Sequence, residues 1–439
     1  MAENREEDSA ESLFCDESSQ NCVKMPSNAN LEDDESVYGQ MVLLGYNGIA
    51  ESKGVSLTRR SKITWLPKTR TITRLFFTSG RTQTHVEEYV IEPSKDMFQI
   101  GRSSEEQIDF TVVDTYLAVA PSASAHHHHH KKSEKSDRIS STISRYACRI
   151  LIDRENGNKA FLYAAGFDLA KNIFLGDKST KWTKKNGEMD GLTTNGVLIL
   201  HPNRNTEDLN SEDTENQELY VWREISVGGD IYTLRDTRSS SSRGQLVPEE
   251  TNMLQDGTLI DLCGATILWR TADGLARSPS ALELEMALDR LNAGRPQCPV
   301  NLNTLIIPKK KSSKATNSRQ AYVYLRCGHV QGRHEWGVVM NGNGQISGGK
   351  CPICLVESER IIQLTMGMET TFHIDSGSLD YAFNPCGHVA SKNTVRYWSR
   401  IPLPQGTNSF HPVCPFCTTM LATEKPFLRL IFQDHCFDS

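Results

Sequence analysis

The sequence predicts a mainly β chain: a β-sandwich carrying inserted loops, then a small α+β module dense in cysteine and histidine. Two observations lead there. From Tyr38 to Trp269, short runs of aliphatic, β-branched and aromatic residues alternate with turn residues, the texture of a sandwich rather than of a helical bundle. Further on, a CGHV element followed by a CPxC element occurs twice: Cys327, His329, Cys351 and Cys354, then Cys386, His388, Cys414 and Cys417. Each copy offers three thiolates and one imidazole, a complete tetrahedral ligand set for zinc.

Length and charge bound the possibilities. At 439 residues the chain has room for two or three domains, each with a core of its own. The net charge of −6 is uneven, because residues 1–36 carry eleven acidic and two basic side chains. That segment, poor in aromatics, reads as a disordered acidic tail. The remainder is close to neutral, which argues against nucleic-acid binding through charge. No basic-then-apolar leader opens the sequence, and no apolar run reaches the ~18 residues of a membrane span. Six of the twelve cysteines belong to the doubled pattern, and Cys15, Cys22, Cys148, Cys263, Cys298 and Cys436 are scattered. Unpaired, scattered cysteines suit a reducing cytoplasm.

Within the sandwich region, 37–275, strands are expected at 41–44, 72–77, 85–91, 98–100, 149–152, 160–163, 196–200, 231–234, 259–262 and 265–269. Asn47-Gly48 and Ser79-Gly80 are among the turns between them. Two polar insertions, 111–140 and 203–217, interrupt the pattern, and the first holds five consecutive histidines, His126 to His130. That run reads as a low-complexity loop, with adventitious metal binding as the alternative. In the connector 276–297, Ser278 and Pro279 offer an N-cap and a first-turn proline, and Leu284, Leu288 and Leu291 recur on one face. The spacing predicts an amphipathic helix over 279–293, ended by Gly294. The stretch 308–319 is rich in lysine and serine and reads as an exposed linker inside the terminal module, 298–439.

A lone CPxC is ambiguous between a redox motif and a metal site, but two matching copies with paired histidines are not. Zinc then replaces a core too small to hold the loops, contributing ~10–16 kcal/mol in modules of this kind. Two pairings stay open: one ion per copy, or a cross-brace between copies. His411 is a rival to His388, whereas His334 and His373 are not expected to be ligands.

Three strand ends carry residues suited to a phosphate: Gly101-Arg102-Ser103, Ser144-Arg145 and Thr193-Thr194-Asn195-Gly196. Guanidinium groups meet phosphate with forked hydrogen bonds, and hydroxyl and amide groups add donors. The order GR…SR…TNG within a sandwich, with Leu254–Ile260 as closing strands, resembles the forkhead-associated (FHA) domain, which binds phosphothreonine peptides. That resemblance implies contacts to phosphate or peptide from Arg102, Ser144, Arg145, Thr194 and Asn195. One departure is Ala147, where the FHA pattern carries a histidine that braces the site.

Sandwich and doubled zinc pattern together resemble the Pellino family of ubiquitin ligases. The stretches that carry the likeness are Tyr163–Asp168, Met189–Gly196, Arg295–Val300, Trp398–Pro404 and Arg429–Gln433, and it spans roughly 38–433. The resemblance implies a wing built from the two insertions. It also implies a role in Toll and interleukin-1 receptor signalling, with phosphorylated receptor-associated kinases as partners and substrates. RING-type ligases hold a conjugating enzyme's ubiquitin thioester ready for a substrate lysine, forming no covalent intermediate of their own, so the two zinc ions would be structural. Ile353, Trp398 and Pro415 would contact the conjugating enzyme. Thr418 stands where many active RING domains carry Arg or Lys. A different class, a non-catalytic phosphopeptide-binding scaffold with structural zinc, is the alternative. A nucleic-acid binder is disfavoured, since 360–395 holds only Arg360 and Lys392 as basic residues.

Overall fold

The computed structural model describes residues 38–46, 62–65, 75–79, 83–87, 94–112, 142–202, 220–294, 296–310, 319–340, 346–405 and 409–433. The acidic tail, the five-histidine run, the second insertion and nearly all of the first lie outside the described residues, as does most of the Lys/Ser-rich stretch.

Seven strands form one antiparallel sheet, in the spatial order Ile231–Tyr232, Arg223–Ile225, Leu198–Leu200, Leu259–Asp261, Ala265–Thr271, Gly39–Tyr46 and Lys62–Trp65. Four more, Phe110–Thr111, Lys95–Gly101, Cys148–Asp153 and Lys159–Ala164, form a second sheet in which only the first pair is parallel. Met41, Leu43, Ile260, Ile267 and Trp269 of the first sheet share a core with Phe98, Ile100, Ile150, Ile152 and Leu162 of the second. This is the expected sandwich. The expected strands at 72–77 and 85–91 fall at Leu75–Ser79 and Gln83–Glu87, paired as a hairpin.

Successive strand residues point to opposite faces, and in the inner strands of the seven-stranded sheet both faces are buried. Val42, Leu44, Leu198, Leu200, Leu259 and Leu268 point away from the sandwich interior, into a second core. Phe372, Tyr397, Trp398, Ile401 and Leu403 of the C-terminal module fill the other side of that core. Polar bonds cross the same junction. Trp222 Nε1 donates to the Pro402 carbonyl at 2.6 Å and the Tyr397 hydroxyl to the Gly257 carbonyl at 3.0 Å. Residues 37–439 form one compact unit.

Two short helices follow the last sandwich strand, α1 (Ala272–Ala276) and α2 (Ala281–Ala293). The cap of α2 is Ser280 rather than Ser278: the Ser280 hydroxyl accepts from the Glu283 N–H at 3.2 Å, and Glu283 reaches back to the Ser280 N–H at 2.7 Å. This reciprocal box satisfies two orphan donors. Ser278 is drawn elsewhere, its hydroxyl donating to the His373 carbonyl at 2.8 Å. Leu284 and Leu288 are buried against Leu305, Ile307, Val323 and Leu364, so α2 belongs to the C-terminal module's own core.

Because the junction core is continuous, Leu268→Ala, at 1% exposure, should cost ~2–5 kcal/mol. In urea titrations, the fluorescence of the sandwich and the near-ultraviolet circular dichroism of the module should shift together. Loss in one probe alone would show that the two halves unfold independently.

Candidate metal centres and phosphate cleft

The two copies of the cysteine-histidine pattern are built alike. In each, a strand (Tyr322–Tyr324 or Tyr381–Phe383) enters Cys-Gly-His and a second strand returns (Val330–Gln331 or His388–Ala390). The central glycine is left-handed, with φ of 85° at Gly328 and 76° at Gly387. Its N–H donates back to the Tyr324 carbonyl at 2.9 Å or the Phe383 carbonyl at 2.8 Å. A Cβ on Gly328 would lie 2.3 Å from the Arg429 carbonyl, and one on Gly387 2.3 Å from that of Gln363. Glycine is therefore required twice over, by backbone angle and by space.

Those two carbonyls belong to segments that tie the copies together. Ile361–Gln363 pairs with Tyr322–Tyr324 of the first copy, and the next residues, Thr365–Met366, run beside His388–Ala390 of the second. In return, Phe427–Arg429 pairs with Tyr381–Phe383 of the second copy, and Ile431 bridges to His329 of the first. Each copy is completed by chain that also belongs to the other.

Within each copy the four side chains converge. One ligand atom from each of Cys327, His329, Cys351 and Cys354 lies within 4.8 Å of the others, and Cys386, His388, Cys414 and Cys417 do the same. Cys351 Sγ is 3.5 Å from His329 Nδ1, and Cys414 Sγ is 3.7 Å from His388 Nδ1. Of the two pairings left open by spacing, the geometry gathers the four groups of one copy, not a mixture of both. His411, His334 and His373 stand outside both quartets; His334 meets Gln331, and His373 Nε2 meets the Gly367 carbonyl at 2.7 Å.

Electrostatics fits a cation at these places. Burial pushes the Cys327 thiol up to about 12 and the Cys414 thiol well above its ordinary value, whereas hydrogen bonds from Cys386 and Cys414 pull Cys417 down. Crowded thiolates repel one another, so all three in a quartet ionise together only around a positive charge. Burial also lowers His329, favouring the neutral imidazole a metal needs. Each quartet could hold one metal ion.

The three residues expected to meet a conjugating enzyme part company. Ile353 is 42% exposed beside Leu355 at 56%, on the first CPxC knuckle. Trp398 is 1% exposed, packed edge-on against Phe372, with Nε1 donating to the Phe372 carbonyl at 2.9 Å. It is a core residue of the junction, and the expectation of a partner contact is corrected. Pro415 is buried too and offers no surface. Phe416, the counterpart of Ile353, is stacked on His388 and packed among Phe372, His373 and Phe383. Thr418 is exposed.

At one edge of the sandwich, Arg102, Ser144, Arg145, Thr194 and Asn195 line a single cleft of about 230 Å³. A Cβ on Gly101 would sit 2.0 Å from the Arg145 carbonyl, so the glycine of Gly101-Arg102 lets the two loops touch. Arg102 Nε donates to the Ile143 carbonyl at 2.7 Å. The Arg145 guanidinium lies 4.4 Å over the Phe174 ring. Ser144 donates its hydroxyl to the Tyr146 carbonyl at 3.1 Å, and Asn195 Nδ2 donates to the Thr142 carbonyl at 2.7 Å. Ala147 is 2% exposed at the cleft's base. Among the fifteen lining residues are two arginines and no carboxylate, an environment for an anion. Sequence reasoning missed the buried groups behind the cleft, Arg235, Glu224, Arg238 and Asp261, because nothing local marks them.

A sandwich with a basic loop-edge cleft, followed by paired cysteine-histidine quartets, defines a protein of the FHA-plus-RING class. Family models agree: "Pellino, FHA domain" matches residues 66–287 and "Pellino, RING domain" residues 291–438. The chain belongs to the Pellino family. Protein pellino of Drosophila melanogaster is 46% identical, over 91% of this chain and 93% of its own length. E3 ubiquitin-protein ligase pellino homolog 2 of Homo sapiens is 44% identical, over 90% of this chain and 95% of its own. E3 ubiquitin-protein ligase pellino homolog 3 of Mus musculus is 43% identical, over 94% and 93%.

Gly387→Ala tests the interlocked build. The left-handed backbone alone costs ~1–2 kcal/mol for a residue with a Cβ, and the clash with Gln363 adds to it. The urea midpoint of the module should fall accordingly, and an unchanged midpoint would refute the stated need for glycine.

Proposed function

We propose that this ubiquitin-protein ligase selects phosphothreonine-bearing partners through the sandwich cleft and promotes ubiquitin transfer to their lysines from a conjugating enzyme docked near Ile353. The observation that carries the reading is the convergence, from three separate stretches of sequence, of Arg102, Ser144, Arg145, Thr194 and Asn195 on one cleft without a carboxylate. By the family likeness, the partners are phosphorylated receptor-associated kinases in Toll and interleukin-1 receptor signalling, in the cytoplasm. Among the described residues no helix is long and apolar enough to cross a membrane.

Each quartet would hold one Zn²⁺ in this reading, through Cys327, His329, Cys351 and Cys354, and through Cys386, His388, Cys414 and Cys417. Three sulfurs and one nitrogen make a closed structural set. When bound, zinc would supply folding free energy there. The chain's own residues do the remaining work: Ile353 and Leu355 present an apolar knuckle, and the cleft arginines hold the phosphorylated partner. Rate comes from proximity and orientation, since a RING-type ligase forms no covalent ubiquitin intermediate of its own.

Arg102→Ala should weaken binding of phosphothreonine peptides by ~1.5–3 kcal/mol, the worth of a charge-assisted hydrogen bond. Calorimetry returning the wild-type affinity would remove Arg102 from the set of phosphate contacts. Cys351→Ala should lose metal by atomic absorption and lose ubiquitin-chain formation with it. Full metal content in that variant would contradict the assignment, and a wild-type protein that builds no chains over a panel of conjugating enzymes would leave only a scaffold.

A further inference from the structure

The Thr193–Gly196 turn is held from behind by two arginines with largely covered side chains. It closes with a Gly196 N–H to Thr193 carbonyl bond of 3.1 Å, and Gly196 has φ of 75°. Arg235 NH2 donates to the Thr193 carbonyl at 3.2 Å and the Thr194 carbonyl at 3.4 Å. Arg238 NH1 donates to the next carbonyl, Asn195, at 3.4 Å. Three consecutive carbonyls of the turn thus receive guanidinium N–H groups on one side, while Thr194 and Asn195 line the phosphate cleft on the other.

Both arginines are themselves anchored. Arg235 grips Glu224 at both oxygens, Nε to Oε2 at 2.9 Å and NH2 to Oε1 at 2.7 Å, and each side chain is 2% exposed. Arg238 pairs with Asp261, whose other oxygen accepts from the Thr266 hydroxyl at 3.0 Å. The turn is pressed onto this layer: a Cβ on Gly196 would lie 2.3 Å from Glu224 Oε1. A buried ion pair contributes little net stability compared with apolar side chains of the same volume, so its use here calls for something other than stability. Ala147, at the cleft's base, has no side chain that could brace the loops.

We propose that Arg235, seated on Glu224, is a positioning residue that fixes the Thr193–Gly196 turn in the shape that receives a phosphothreonine peptide. This rests on the proposed role of the cleft. It makes recognition depend on a residue that never touches the ligand.

Two readouts decide it: hydrogen exchange at the amides of Thr194, Asn195 and Gly196, and calorimetry with phosphothreonine peptides. The informative protein is the full chain carrying Arg235→Met and Glu224→Leu together, which leaves no unpaired charge. Its melting temperature should be retained, and exchange in the turn should rise. If the competent shape is populated about a tenth of the time, affinity falls roughly 10-fold. Arg235→Lys keeps the charge and should recover part of the affinity. Wild-type exchange and affinity in the folded double variant overturn the proposal. Should that variant fail to fold, Arg235→Lys decides by the same two readouts, with wild-type values in both overturning it. Failure of the wild-type protein to bind any phosphothreonine peptide overturns the cleft's role instead, and the turn's exchange then decides the brace by itself.

Discussion

An antiparallel sheet ordinarily gives one face to a core and the other to water. Here the seven-stranded sheet gives both to cores, and the arrangement of the whole described chain depends on that second face. Val42, Leu44, Leu198, Leu200, Leu259 and Leu268 would be an apolar surface of the sandwich if the C-terminal module were elsewhere. Burial removes that penalty at roughly 25 cal/mol for each Å² of apolar surface covered. Arg270 adds direction to the contact. It is 2% exposed, pairs with Asp256 at 2.8 Å, and donates to the Thr371 carbonyl across the junction and to the Ser278 hydroxyl at 2.7 Å. A buried guanidinium persists only when its donors are met, so Arg270 holds α1 and the Thr371–His373 segment against the sandwich.

The module on the far side has its own economy. Short strands of two or three residues seldom persist alone, and here each hairpin is completed by a strand whose neighbouring residues in the chain pair with its twin. Metal held in one quartet would therefore order chain that the other quartet needs. The twins have diverged where they meet different neighbours. Phe416 faces the junction and is packed among aromatic rings, whereas Ile353, at the same place in the first copy, faces outward. One knuckle serves the core and the other is exposed.

Much of this was legible in the sequence. Alternating turns and short β runs placed the sandwich, the doubled spacing placed both quartets, and the three strand-end motifs marked one cleft. The junction was also written there, in a form that is easy to pass over. Met41-Val-Leu-Leu44 and Val197-Leu-Ile-Leu200 are continuous apolar runs, and an antiparallel strand with one wet face alternates instead. Such runs require an apolar cover on the second face, and Trp398 is part of that cover. The cap at Ser280 is written as Ser-x-x-Glu, and the rival Ser278 is taken up by the His373 carbonyl. Arg235 and Glu224 lie 11 positions apart in ordinary-looking sequence, and only the fold shows that they back the Thr193–Gly196 turn.

The fixed junction bears on how a ligase of this build would choose lysines. Flexible linkers give tethered sites effective concentrations near the millimolar range and let many geometries be sampled. Where one core joins reader and module, sampling of that kind is lost from the protein side. A partner held by its phosphate at the sandwich edge, as proposed, would then present to the docked thioester only those lysines its own shape and flexible segments can bring within reach. Orientation gains from such rigidity, because effective molarity rises as fewer arrangements compete. Under the proposed function selectivity would follow from the same source: the phosphate would determine which protein is held, and the span from cleft to knuckle which of its lysines can react.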